Sequence, residues 1–127
     1  MVSRTFSKTL QINKMSIAWM AVAIEDPNPI HIDEEAANKA GFPSVIAHGT
    51  FPIGLVGQML SEVFGPSAIR EISIRLQAPT FPGVLLEAYG EVDKNSGDLE
   101  KGFVRVKVHV RQASNIVAYG DVLVQKS

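Results

Sequence analysis

Apolar residues recur along the chain with two different periods, and the change falls near residue 66. Before it the spacing is helical. Asn13 is placed to cap a helix in which Ile17, Met20, Ala21 and Ile24 share one face, and Asp26-Pro27 should end it. Asp33-Glu34-Glu35 reads as the acidic, capped start of a short helix with Ala36, Ala37 and Ala40 inward and Gly41 as its stop. A third helix should start at Gly49-Thr50 and run to about Phe64, ended by Gly65-Pro66. Phe51, Ile53, Leu55, Val56, Met59, Leu60, Val63 and Phe64 cover most of its circumference, which predicts burial on nearly all sides. Gly54 and Gly57 lower its helix propensity and suggest close approach of a sheet, another backbone or a ligand.

Beyond residue 66 the period is two. Ile72, Ile74 and Leu76 form one alternating set, Val84, Leu86, Ala88 and Val92 a second, and Val104, Val106, Val108 and Val110 a third. A fourth strand runs from about Ile116 to Val124, and Thr5 to Ile12 can add a short edge strand. Pro79 to Gly83, Asn95-Ser96-Gly97 and Ser114-Asn115 supply the turns. An antiparallel sheet with one apolar face, preceded by one long apolar helix, predicts an α+β domain. A sheet wrapped around a central helix, the hot-dog arrangement, buries both.

With 127 residues, 46% of them hydrophobic, the chain has the size of one domain, read here as residues 1–127. Twelve Lys and Arg against thirteen Asp and Glu leave a charge of -1, which argues against a nucleic-acid partner. The chain has no cysteine, so disulfides, thiolate nucleophiles and Cys-ligated metals are excluded together. No apolar run approaches the roughly 18 residues of a membrane span, and the first residues lack the apolar core of a signal peptide. The expectation is a cytoplasmic protein without a membrane partner.

Three histidines remain as near-neutral acid–base groups, and His31 and His48 share one connection with Asp26 and Asn28. Pro27 and Pro29 keep that connection out of helix, so Asp26 and His31 lie five residues apart on a stiff turn and can converge as a carboxylate–imidazole acid–base pair. Each residue also has a plainer role. Asp26 and Asn28 can close Asx-turns before proline, Asp33 can cap a helix, and His48 can be a hydrogen-bonded structural histidine. Gly49, at the start of the buried helix, offers free N–H groups and the positive end of the helix dipole to a developing oxyanion, or merely turns the chain. His109 falls on the Arg- and Lys-bearing face of a strand and should be solvated.

Asp26-Pro-Asn28-Pro29-Ile-His31-Ile-Asp33, then Ala-Gly-Phe, then Ile46-Ala-His48-Gly49-Thr50 resembles the signature of the MaoC-like hydratases, the (R)-specific enoyl-CoA hydratases, in residue type, order and spacing. Phe81-Pro82-Gly83 and Gly90-Glu91-Val92 extend the likeness more weakly. The resemblance implies a hot-dog fold and syn addition of water to a trans-2-enoyl thioester, giving a (R)-3-hydroxyacyl thioester, or the reverse dehydration. It assigns Asp26 and His31 as the catalytic dyad, with Asn28, His48 and the Gly49 backbone N–H on the substrate side. No metal or redox cofactor is implied; coenzyme A or acyl carrier protein enters with the substrate. The family also implies a homodimer, or a pair with a related hot-dog subunit, and a place in fatty acid metabolism. Some members carry a serine in the central helix near the position of Gly57. Phe51, Leu55, Phe64 and Trp19 are candidates to shape an acyl tunnel, and Arg70, Arg75, Lys107 and Arg111 are candidate phosphate contacts. The alternatives are a hot-dog acyl-CoA thioesterase and a non-catalytic subunit of a hetero-oligomeric dehydratase.

Overall fold

The computed structural model describes residues 4–93 and 102–125. Five strands form one antiparallel sheet: β1 (Thr5–Leu10), β2 (Ile69–Leu76), β3 (Leu86–Val92), β4 (Phe103–Gln112) and β5 (Asn115–Gln125), in the spatial order β1-β3-β4-β5-β2. Helix α1 spans Lys14–Ala23, α2 Glu34–Lys39 and α3 Thr50–Phe64, with a 3-10 turn at Pro29–His31. The sheet curves around α3. No helix among the described residues is long and apolar enough to cross a membrane.

The predicted alternation sets the core. Leu86 and Ala88 of β3, Val106, Val108 and Val110 of β4, and Ala118, Val122 and Val124 of β5 face inward against Leu55, Val56, Met59 and Leu60 of α3. Each of these large side chains contributes about 1.5–3 kcal/mol by leaving water. Two glycines permit close approaches on the sheet, Gly90 toward Phe6 and the helix residue Met59, and Gly120 toward the backbone of β2. A Cβ at Gly90 would stand 2.3 Å from the Phe6 ring and 3.1 Å from Met59 Cε, and one at Gly120 would stand 1.9 Å from the Ser73 carbonyl oxygen. Gln112, buried at the end of β4, donates to the carbonyls of Phe81 and Val84 and accepts from Phe81 N–H, tying down the segment before β3.

Several expectations are corrected. Helix α3 is covered on one side only, because a five-stranded sheet reaches around one side; Gly54, Gln58 and Glu62 are exposed, and Ile53 and Val63 are half-buried. Nothing lies within 4 Å of a Cβ built at Gly54 or Gly57, so neither glycine marks a close approach within the chain. In α2 only Ala37 is fully buried; Ala40 is the exposed C-cap of a helix too short to present three residues to the core. β2 is an edge strand at the margin of the surface α3 covers, so Ile72 and Leu76 are 45% and 49% exposed rather than half-buried. Val84 precedes β3 and is exposed. The β4–β5 turn is Ala113-Ser114, with Ala113 at φ +52°, one residue earlier than expected. The expected turn at Asn95-Ser96-Gly97 lies outside the described residues.

Candidate active site

Asn13 accepts from Ser16 N–H and starts α1 as predicted. The end of α1 carries Asp26. Glu25 takes a left-handed conformation (φ +54°), Glu25 N–H donates to the Val22 carbonyl and Asp26 N–H to the Ala21 carbonyl. These paired bonds are a Schellman motif, which satisfies the terminal carbonyls and turns the chain sharply so that Asp26 leaves the helix axis. Pro27 and Pro29 then hold the chain extended until the turn Pro29–His31, whose N-cap Asn28 accepts from Ile30 N–H at 3.2 Å. The Asn28 amide oxygen thus serves its own loop, the plainer of its two expected roles. Asp33 caps α2 through Glu35 N–H.

His31 is buried, and its Nδ1 lies 2.7 Å from the carbonyl oxygen of Ile46. A carbonyl only accepts, so Nδ1 carries the proton and the neutral ring has a bare Nε2. The Ile46 carbonyl is held in place by its neighbours: Ile46 N–H donates to the Ile30 carbonyl and Ala47 N–H to the Thr80 carbonyl. His31 Nε2 lies 3.9 Å from Asp26 Oδ2, whose side chain is 50% exposed. That gap is too long for a direct hydrogen bond, and about the span one water bridges by donating both hydrogens. The predicted pair therefore converges, as two basic atoms facing one position.

His48 stacks on His31, with ring centroids 3.7 Å apart and planes at 24°. Its Nε2 lies 3.1 Å from the main-chain carbonyl of Asp26, so Nε2 carries a proton and donates. The ring edge thus meets the Asp26 main chain rather than the substrate side expected for it. Gly49 follows as the N-cap of α3 and Pro52 lacks an N–H, which leaves the Gly49 and Thr50 N–H groups at the positive end of a 15-residue helix. A Cβ at Gly49 would clash with Leu76 Cδ1, so the glycine lets the Leu76 side chain pack against the start of the helix. The stack, the Ile46 carbonyl and the nearby Leu76 were not evident from sequence, because all three depend on how distant segments meet.

Asp26, His31 and His48 can each offer one ligand atom within 4.8 Å of the others. They fit a tetrahedral metal poorly: bonds of about 2.0–2.1 Å set ligand atoms roughly 3.4 Å apart with converging lone pairs. Stacked imidazoles point theirs side by side, and one nitrogen of each ring already bonds a carbonyl. Of the tunnel candidates, Phe51 and Leu55 are buried in the core, Phe64 is partly buried and Trp19 is 68% exposed on α1. A cleft of about 570 Å³ lies on the outer sheet face by Ser7, Tyr89, Lys107 and His109, and another of about 520 Å³ lies by Gln77, Phe81, Gln112 and Ile116. Neither borders the dyad. His109 lies on the outer face as expected, but its ring stacks on Tyr89 with centroids 5.0 Å apart and is half-buried. That burial, and secondarily the Arg111 charge, lowers its pKa. Arg111 itself is engaged, donating to the Tyr89 hydroxyl.

The family model for the MaoC-like domain matches residues 2–114. A (R)-specific enoyl-CoA hydratase from Rhodospirillum rubrum is 30% identical over 124 residues, covering 96% of this chain and 83% of that protein. A 3-hydroxyacyl-thioester dehydratase from Mycobacterium tuberculosis is 34% identical over 107 residues, covering 80% of this chain; the chain spans 38% of that relative's length. Among solved structures, an (R)-hydratase from A. caviae superposes with a TM-score of 0.88 at 21% identity, over 100% of this chain and 97% of that one. The ChsH1-ChsH2 complex from Mycobacterium tuberculosis gives 0.86 at 23%, over 100% and 98%. These superpositions establish the hot-dog fold. Sheet, central helix and the Asp-His and His-Gly elements agree with the family match, and the chain belongs to the MaoC-like domain family.

Proposed function

We propose that this chain catalyses hydration of a trans-2-enoyl thioester to the (R)-3-hydroxyacyl thioester, and the reverse dehydration. The observation that carries the reading is the separation of 3.9 Å between Asp26 Oδ2 and His31 Nε2, beside the N-terminus of α3. A water donating to both atoms is activated by two bases on one side of the substrate. Its oxygen bonds to C3 while the C2=C3 electrons move toward the thioester oxygen. The Gly49 N–H and the helix dipole stabilise that oxyanion. The dyad removes one proton from the water and delivers one to C2 from the same side, so the addition is syn and atoms balance. No metal or redox cofactor is needed; coenzyme A or an acyl carrier protein belongs to the substrate.

A second hot-dog subunit, a copy of this chain or a related one, completes the assembly in this reading. Met15, Trp19 and Val22 form an exposed apolar stripe on α1, and Ile72 and Leu76 are exposed on the edge strand β2, apolar surface that a second subunit would cover. The setting we propose is cytoplasmic fatty acid metabolism. The test follows loss of enoyl-thioester absorbance with crotonyl-CoA and longer trans-2-enoyl-CoAs, coupled to a dehydrogenase specific for one 3-hydroxyacyl enantiomer. Turnover with (R) product, abolished by Asp26→Asn, supports the assignment; free thiol release without loss of the alkene makes the protein a thioesterase.

A further inference from the structure

The hydration reading uses Asp26, His31 and Gly49 and leaves His48, 97% buried, without a task. We infer that His48 is a positioning residue that couples the two halves of the dyad. This inference rests on the hydration reading for its chemistry and on the geometry alone for its structure.

Two contacts carry it. Through Nε2–H, His48 holds the main-chain carbonyl of Asp26, the residue that has just left the Schellman turn and whose carboxylate is otherwise half in solvent. Through its ring face, it lies on His31 at 3.7 Å and fixes the plane in which His31 Nε2 points at Asp26. His31 in turn is pinned at its other nitrogen by the Ile46 carbonyl, two residues before His48. One rigid segment, residues 46–49, therefore sets the proton-bearing edge of His31, the main chain of Asp26 and the start of the helix that offers the oxyanion donors.

The tautomers make the two histidines unequal. His48 Nδ1 is buried and has no hydrogen-bond partner among the described residues. Since Nε2 is the donor to the Asp26 carbonyl, Nδ1 is the bare nitrogen of the ring, and it makes no hydrogen bond that could turn the ring another way. His31 differs because its second nitrogen faces Asp26. The bare His31 Nε2 therefore stays turned toward Asp26 and the water they share, while the His48 ring stacked on it holds the imidazole plane. His48 keeps His31 oriented and lets it cycle between base and acid without reaching the substrate itself.

The test separates the two contacts. His48→Phe keeps a ring face and loses the donor, His48→Gln keeps a donor of similar reach and loses the ring, and His48→Ala loses both. On crotonyl-CoA, Phe and Gln should each lower kcat roughly tenfold and Ala roughly a hundredfold, the scale of small misplacements of a catalytic group, with KM little changed. Melting curves check that each variant folds, and Phe and Gln serve if Ala does not. Long-range proton–nitrogen NMR of the wild-type imidazoles should show His31 protonated at Nδ1 and His48 at Nε2. Full kcat in the folded variants, a rise in KM with kcat intact, or a His48 protonated at Nδ1 would each overturn the inference. If the wild-type protein hydrates no enoyl thioester, the hydration reading falls with it, and the NMR tautomers still decide whether His48 holds Asp26.

Discussion

Replacing Asp26 with asparagine should separate activity from stability more cleanly than any other change at this site. The Asp26 carboxylate is half in solvent, accepts no hydrogen bond among the described residues, and lies 3.9 Å from a buried imidazole. A carboxylate half in solvent and 3.9 Å from that ring contributes no more than an exposed ion pair would, about 0.2–1 kcal/mol, so the isosteric amide should lower the stability read from urea denaturation by no more than that. The main-chain carbonyl that receives the His48 N–H is unaffected. The loss in turnover is of another order: removal of a group that activates water costs about 10²–10⁴ in kcat, or about 3–5 kcal/mol of transition-state stabilisation. His31→Ala behaves differently. It removes the same acid–base function, but it also strips the buried Ile46 carbonyl of its donor, which costs about 1–3 kcal/mol in stability, and leaves His48 without its stacking partner. The assay is paired: alkene loss with crotonyl-CoA for turnover, urea denaturation followed by Trp19 fluorescence for stability. An Asp26→Asn protein that keeps more than a tenth of wild-type kcat, or that loses as much stability as His31→Ala, would refute the assignment of Asp26 as a water-activating base on an otherwise unburdened side chain.

Three further outcomes are expected. His109 should titrate by NMR below the ordinary histidine value of about 6.5, because burial against Tyr89 and then the Arg111 charge disfavour its cation. Since the folded form binds the proton less readily than the unfolded chain, stability should fall as pH drops from about 6.5 through the lowered folded value and level off below it, and His109→Gln should remove that slope; a folded pKa at or above 6.5 contradicts the burial argument. Gly49→Ala keeps the backbone N–H, and its methyl displaces only the half-exposed end of Leu76, so stability should change by less than about 1 kcal/mol while kcat/KM drops tenfold or more; unchanged turnover would remove this corner from the substrate path. Gly54→Ala places a methyl in open space on an exposed helix and should stabilise the fold by about 0.5–1 kcal/mol; a loss instead would mean that another chain packs closely there.

Where the chain's own periodicity or local chemistry decides, the sequence was legible. The valine alternation in β4, the bounds of α3 and the caps at Asn13 and Asp33 all appear where they were expected, because each depends on residues within a few positions of one another. So did the meeting of Asp26 and His31, since two prolines leave the short turn between them few conformations. What escaped notice depends on long-range placement or on a residue type that hides its conformation. Ile72 and Leu76 have the inward pattern of a covered strand, and only the strand order reveals that β2 lies at the edge.

The turn that aims Asp26 is the sharper case. A Schellman motif is ordinarily announced by glycine at the left-handed position, and here that position is Glu25. A left-handed non-glycine costs about 1–2 kcal/mol, and it persists only where surrounding contacts over-determine it. Such contacts surround Glu25: the Glu25 and Asp26 N–H groups bond back into α1, and His48 grips the Asp26 carbonyl from the far side of the connection. A glycine at 25 would lower the strain and also free the chain to leave the turn in other directions. Glutamate permits fewer, so the strained turn and the His48 hydrogen bond act together, one limiting where Asp26 can go and the other holding it where His31 can share its water.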